Sequence, residues 1–147
     1  MTTEFASDLA TVHARLSAAR ADLTEAVASL SDPDLERARR GGWTVRKVLE
    51  HVVTSEWLYS RLMAHLRGTT AQGDIPSCDP PSVREALAML DASRQAILGA
   101  ADGVDEDGFY RMQTAGHEEF SVLSLLENTA LHDGEHAAQV REILAAT

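Results

Sequence analysis

The sequence predicts an all-α protein, a four-helix bundle that forms a single domain over residues 1–147. Four segments repeat apolar residues at steps of three, four or seven, which is the spacing of one face of an α-helix. Three of these segments begin at a serine or threonine, the residue types that cap helix N-termini. Apolar residues make up 44% of the chain, enough at this length to bury a core between helices.

The first helix is predicted over roughly residues 4–30 from its repeating apolar stripe. Pro33 cannot continue a helix, so Ser31–Asp34 is expected to end it. The connector that follows holds a small basic cluster, formed by Arg37, Arg39 and Arg40. A solvated loop explains this cluster, although it could also contact an anionic group of a ligand.

The second helix is predicted to begin after the cap Thr44 and to end at Gly68. Trp43 precedes the cap and can pack on Val48 as a hydrophobic staple. His51 is predicted to point inward, on a face that it shares with Val48, Ser55, Leu58 and Leu62. A histidine on a core-facing stripe needs a polar partner or a bound ion.

A loop is predicted over residues 68–81, which are rich in glycine, proline and small polar residues. It is long for a connection between helices, and such a crossover allows the third helix to run parallel to the second. The third helix is predicted from the capping box Ser82–Glu85 to about Ala101, with Arg94 on its apolar stripe.

The segment from Gly103 to Phe120 shows no helical pattern, and a short extended hairpin is predicted there. Its strands are Phe109–Thr114 and His117–Phe120, joined by a turn at Gly116. This hairpin precedes the last helix.

The last helix is predicted from the cap Ser121 to about Ala145, and it carries two histidines. His132 and His136 are four residues apart, so they differ by about 40° around the helix and lie on one face. Their apolar stripe is formed by Val122, Leu125, Thr129, Val140 and Ile143. Two imidazoles so placed either form hydrogen bonds inside the bundle or bind a divalent metal with a ligand from another helix.

His51 is the candidate third ligand if the second and fourth helices are neighbours. A site of three histidines leaves positions open for water or substrate, which distinguishes a reactive site from a closed structural one. The segment His132–His136 also fits the H-x-x-E-H pattern of a class of zinc proteases, in which Glu135 could hold a metal-bound water. A bundle of this size offers no obvious peptide cleft, so a protease is disfavoured.

Charge and composition narrow the classes of partner. The formal net charge is −10, which disfavours binding to nucleic acid or to an anionic membrane surface. No apolar run approaches the roughly 18 residues of a membrane span, and no secretory signal is recognised at the N-terminus. Cys78 is the single cysteine, so no internal disulfide can form. A cytoplasmic location is expected.

Two segments resemble motifs of DinB-like proteins. Gly42–Val52 contains W-[ST]-x(6)-H, and Leu131–Gln139 contains H-x3-H-x2-Q. The resemblance covers nearly the whole chain, and it implies a bundle of down-up-up-down topology that is often dimeric. It also implies one divalent ion, commonly zinc, nickel or iron, held by His51, His132 and His136.

The resemblance also implies an activity, because characterised DinB-like proteins include thiol-dependent transferases and isomerases that use mycothiol, bacillithiol or glutathione. In the maleylpyruvate isomerase branch a glutamate replaces one last-helix histidine, and the corresponding residue here is His132, so the three-histidine branch fits better. We therefore expect a metal-dependent transferase that moves a small electrophile onto a low-molecular-weight thiol. The Arg- and Ala-rich composition favours mycothiol as that thiol.

Two other functions stay open: a non-catalytic metal-binding dimeric bundle, and a metal-dependent hydrolase that uses a metal-bound water. No protein nucleophile stands out, since Cys78 lies in the predicted crossover, so no catalytic residue is assigned. A homodimer is expected, with small residues that lie off the main stripe of the first helix as a candidate surface. These residues are Ala14, Ala18 and Ala21.

Overall fold

A computed structural model describes residues 2–71 and 73–146 of the chain. The helices in chain order are α1 (Thr3–Ala28), α2 (Val45–Leu66), α3 (Val83–Ala101), the short α4 (Glu106–Tyr110) and α5 (Val122–Ala145). A hairpin of β1 (Gln113–Ala115) and β2 (Glu118–Phe120) lies between α4 and α5. A 3₁₀ helix at Asp32–Glu36 connects α1 to α2.

The four long helices pack as a bundle in which α1 and α2 each lie against both α3 and α5. One apolar cluster contains Phe5, Met63, Ile97 and Leu125. The other contains Val27, Val48, Leu90 and Val140. Early residues of α1 and α5 therefore lie level with late residues of α2 and α3, so the two pairs run in opposite directions. This arrangement confirms the predicted four-helix bundle with down-up-up-down topology.

The predicted helix caps are confirmed. The Thr44 side chain accepts a hydrogen bond from the Lys47 N–H, and Ser82 and Ser121 do the same for the first turns of α3 and α5. These oxygens satisfy backbone donors that have no partner within the helix. The bounds of all four long helices agree with the prediction to within about two residues.

The inward face of α2 differs from the prediction. Leu58 was expected to face the core but is 53% exposed, whereas Glu56 is only 3% exposed. The buried residues of α2 include Val45, Val48, Leu49, Val52, Val53 and Met63, so the apolar stripe is rotated away from His51. His51 is half-buried at the edge of this stripe. The apolar pattern predicted the wrong inward face of α2, because the charged residue Glu56 occupies a core position.

The segment before β1 also differs from the prediction, because Phe109 and Tyr110 belong to helix α4 and not to a strand. The Asp105 side chain accepts from the Gly108 N–H at 2.7 Å and so caps this helix. Phe109 is fully buried, with its ring centre 5.3 Å from that of Phe5. The hairpin itself is confirmed in shortened form, with its turn at Gly116, where φ is +66°.

The predicted loop of residues 68–81 forms the crossover between α2 and α3, and residue 72 lies outside the described residues. The end of the crossover is anchored to the bundle. Arg46 of α2 donates to the Pro80 carbonyl, and Asp32 accepts from the Val83 N–H at 2.9 Å. Within residues 2–71 and 73–146, no helix has both the length and the apolar character of a membrane span.

Candidate metal centre

Three histidines from two neighbouring helices converge on one point. His51 extends from α2, and His132 and His136 extend from consecutive turns of α5. The Nε2 atom of His132 lies 3.0 Å from that of His51 and 2.8 Å from that of His136. One ring nitrogen from each residue lies within 4.8 Å of the other two, so this group could hold a metal ion. The structure thus brings together the three histidines singled out from the sequence.

Hydrogen bonding alone does not satisfy these three nitrogens. The Nδ1 atom of His136 lies 2.7 Å from Oε1 of Gln139. Because an amide oxygen only accepts, Nδ1 carries the proton and Nε2 of His136 presents a lone pair. A ring nitrogen offers either one proton or one lone pair, so Nε2 of His132 cannot complete a linear hydrogen bond to both neighbours. A divalent cation, which accepts lone pairs from all three nitrogens, fits this donor set.

Burial favours the neutral form of His51 and His132. Burial, and then the nearby His136 and His51, lower the pKa of His132 from 6.5 to about 4, although Asp133 and Glu135 act in the opposite direction. The pKa of His51 is also lowered, first by burial and then by His136 and Lys47. Both rings are therefore neutral at pH 7, which is the state that binds a metal ion.

Trp43 lies against the outer side of the cluster. Its ring packs edge-to-face on His51, with ring centres 5.2 Å apart, and the Lys47 Nζ lies 6.0 Å from the Trp43 ring centre. Trp43 is 45% exposed, and its packing on Val48 stays a prediction. The residue that precedes the α2 cap therefore also borders the candidate centre.

A network of four charged residues lies next to the histidines and takes one residue from each long helix: Arg20, Glu56, Arg94 and Asp133. Glu56, Arg94 and Asp133 are buried, and the Arg20 side chain is 12% exposed. Arg20 contacts Glu56 at 2.9 Å and Asp133 at 3.0 Å. Arg94 contacts the same two carboxylates at 2.7 Å and 2.5 Å. Two guanidinium groups thus balance two carboxylates, as buried charges require. Asp133 directly follows His132, so the network is covalently continuous with the cluster.

Most of this network was missed from the sequence. The apolar stripe of α3 included Arg94, but no partner was assigned to it. A signal was available, because Asp133 comes four residues after the buried Thr129 and four before the buried Ala137. Two opposite charges on the inward stripes of two helices can be expected to pair.

An open cleft of about 350 Å³ borders the His51–His132 pair. The other residues that line it are Ser55 and Tyr59 from α2, and Asn128, Leu131 and Glu135 from α5. Cys78 does not line the cleft, and its thiol donates to the Pro76 carbonyl in the crossover at 3.3 Å. One side of the histidine cluster is thus accessible to a small molecule.

The remaining sequence candidates lie outside the cluster. Arg37 donates to the Leu144 carbonyl at 2.9 Å, and Arg39 lies 3.5 Å from Glu142, so this basic loop is joined to the end of α5. The other histidines of the described chain are exposed: His13, His65 and His117. They do not contribute to the candidate centre.

Solved structures with the same fold include two bundle proteins. TT2238, a four-helix bundle protein, is 25% identical with a TM-score of 0.67, over 89% of this chain and 95% of that one. A DinB-like protein from Bacillus cereus ATCC 10987 is 15% identical with a TM-score of 0.69, over 94% of this chain and 89% of that one. No curated protein matches this chain.

A family model described as the DinB superfamily matches residues 15–140. This range includes the three histidines, the cleft and all four members of the buried charge network. It also reaches Gln139, which orients His136. The match extends over most of the chain, and the chain therefore belongs to the DinB superfamily.

Proposed function

We propose that this protein is a metal-dependent transferase that moves a small electrophile onto a low-molecular-weight thiol, with mycothiol as the favoured thiol. The proposal assigns one divalent ion, zinc, nickel or iron, to His51, His132 and His136. One observation carries it: the three imidazoles converge, and two of them, those of His51 and His132, border an open cleft. A structural metal site has all its positions filled by protein groups, whereas a reactive site keeps one for a ligand.

The proposed reaction joins a thiol R–SH and an electrophile R′–X to give the thioether R–S–R′ and H–X. With an epoxide, the C–O bond that breaks leaves an alkoxide, which takes the thiol proton to give a hydroxy thioether. A divalent ion held by the three histidines would stabilise the thiol as its thiolate, which is the nucleophilic form. Gln139 Oε1 accepts a hydrogen bond from the Nδ1–H of His136, so that Nε2 is free to bind the ion. Ser55, Tyr59 and Asn128 line the cleft, where their polar groups can bind the two substrates.

This reaction needs no nucleophile from the chain. Cys78, the single cysteine, lies in the crossover and does not line the cleft. The attacking sulfur therefore comes from the cosubstrate.

Glu135 supports a second candidate function, a metal-dependent hydrolase. Its carboxylate lines the same cleft as His51 and His132, where it could hold a water molecule against a bound substrate. Hydrolysis of a test ester without added thiol would favour this candidate. A non-catalytic metal-binding bundle would show neither reaction.

Metal analysis of the purified protein, followed by thiol-consumption assays, tests the transferase. Mycothiol, bacillithiol and glutathione are each offered with a panel of epoxides and alkyl halides. We expect consumption with the metal-loaded protein and none with the His51→Ala, His132→Ala, His136→Ala triple variant. If the metal-loaded protein consumes none of the three thiols with any electrophile, the transferase proposal is wrong.

A further inference from the structure

We infer that Glu135 makes the cleft selective against negatively charged ligands. The cleft would then take thiols that are uncharged or cationic beyond the sulfur, and would discriminate against thiols that carry carboxylates. This inference rests on the proposed function and deepens it, because it names the class of thiol and the residue that selects it.

The position of Glu135 brings its carboxylate next to any ligand in the cleft. The groove between α2 and α5 holds the cleft, and Glu135 lies on the α5 side, three residues after His132. Residues three apart on a helix are neighbours on its surface. A ligand whose sulfur reaches the histidine cluster would therefore place the rest of its structure beside this carboxylate.

The other carboxylates near the cleft are paired with cations. Glu56 and Asp133 lie beneath the cleft, on a small inner cavity that also borders Ser55, Tyr59 and His132, but Arg20 and Arg94 balance both carboxylates. On the outer side near His51, Lys47 lies 3.0 Å from Glu50. In the part of the chain that the structure describes, no hydrogen bond or ion pair holds the exposed Glu135 side chain.

The remaining lining groups, the neutral His51 and His132 included, carry no formal charge. Ser55, Tyr59 and Asn128 offer hydroxyl and amide groups, and Leu131, which is 61% exposed, adds an apolar surface. Such a surface matches hydroxyl- or amide-rich ligands, while Glu135 repels a second negative charge. Mycothiol carries only hydroxyl, amide and acetal groups beyond its thiol, whereas glutathione and bacillithiol carry carboxylates.

Coulomb's law sets the expected size of this selectivity. Two like charges about 6 Å apart, at an effective dielectric constant between about 40 and 80, change a binding constant about three- to tenfold. An ammonium group at the same distance changes it by a similar factor in the opposite direction.

Three small thiols with different charges test the inference: 3-mercaptopropionate, its uncharged amide and cysteamine. Their affinities are measured from the visible absorption of the Co²⁺-loaded protein, for the unmodified chain and for Glu135→Gln. We expect Glu135→Gln to bind 3-mercaptopropionate about three- to tenfold more tightly and cysteamine about three- to tenfold less tightly. Affinity for the amide should change less than about twofold.

Glu25→Gln is the matched control, because it removes the same charge from an exposed position on α1 that does not line the cleft. It should leave all three affinities within about twofold, since Glu25 does not border the bound thiol and solvent ions screen exposed charges. Cobalt content, measured for each variant, should stay at one ion per chain. If Glu135→Gln changes the three affinities equally or not at all, the inference is wrong while the proposed function stands. If none of the three small thiols binds to the Co²⁺-loaded protein, both the inference and the proposed function are wrong.

Discussion

At the residue scale, His132 is the centre of the histidine cluster. Its Nε2 lies 3.0 Å from that of His51 and 2.8 Å from that of His136. Burial is also the main reason that the pKa of His132 is lowered to about 4. Loss of the His132 side chain should therefore lower the metal affinity of the candidate centre more than loss of His51 or His136.

The first prediction concerns metal content. We expect one divalent ion per chain, and we expect His132→Ala to lower the metal affinity sharply because one of three ligands is lost. Metal analysis after dialysis against a weak chelator measures this. His65→Ala is the control, because His65 is exposed and lies outside the cluster. Full metal occupancy in the triple variant of His51, His132 and His136 would show that the ion binds elsewhere.

The second prediction concerns Gln139, whose amide oxygen accepts from His136 Nδ1. Replacement by leucine removes this acceptor, so the ring can rotate or place its proton on Nε2. We expect Gln139→Leu to lower metal affinity about 10- to 100-fold, as is common for residues that orient a ligating histidine. Competition with a chelator of known affinity gives the value. Gln95→Leu, an exposed change on α3, should leave it unaltered. Equal affinities for the two variants would contradict the assigned role.

At the element scale, the two helices that carry the histidines are held at a defined separation. Arg20 of α1 and Arg94 of α3 each contact Glu56 of α2 and Asp133 of α5. Glu56 and Asp133 thus share the same two guanidinium groups. Since Asp133 directly follows His132, this network also constrains where His132 meets His51.

The third prediction concerns the stability that this network provides. Arg94→Met leaves two buried carboxylates with a single guanidinium group, so we expect the free energy of unfolding to fall by about 3–5 kcal/mol. Urea unfolding of the metal-free protein measures the change. Arg84→Met, at an exposed position of the same helix, should change it by less than about 0.5 kcal/mol. If both variants unfold at the same urea concentration, the buried network does not stabilise the bundle.

At the scale of the whole molecule, charge is distributed unevenly. The chain carries a net charge of −10, yet the exposed positions Ala14, Ala18 and Ala21 form a small uncharged region on α1. A helix face of this kind allows a second helix to approach closely without repulsion between carboxylates. The homodimer predicted from the sequence stays a prediction, and this face is its candidate interface.

The fourth prediction tests that interface. We expect sedimentation equilibrium to give about twice the chain mass of 15.9 kDa. Ala18→Glu should shift the equilibrium toward the monomer, because it buries an unpaired charge in the interface. Ala92→Glu, at an exposed position on α3, should not. A single 15.9 kDa species at high protein concentration would exclude the dimer.

The sequence by itself determined the elements and the candidate ligands. Apolar periodicity and the caps Thr44, Ser82 and Ser121 located the long helices, because these signals depend only on neighbouring residues. The four-residue spacing of His132 and His136 placed both on one face for the same reason. Dependence on local signals also explains why helix α4 was not predicted. The segment around its cap, Asp105, lacks the apolar periodicity by which the long helices were located.

Only the tertiary structure decided which helices meet and what lies between them. The contact of α2 with α5 brings His51 to the other two histidines, and sequence spacing carries no information on residues 81 positions apart. Burial of Glu56 was likewise invisible, because a charge is assigned to the surface until its partners are known. Arg20 and Arg94 come from two other helices, so Glu56 becomes a core residue only when all four helices have packed.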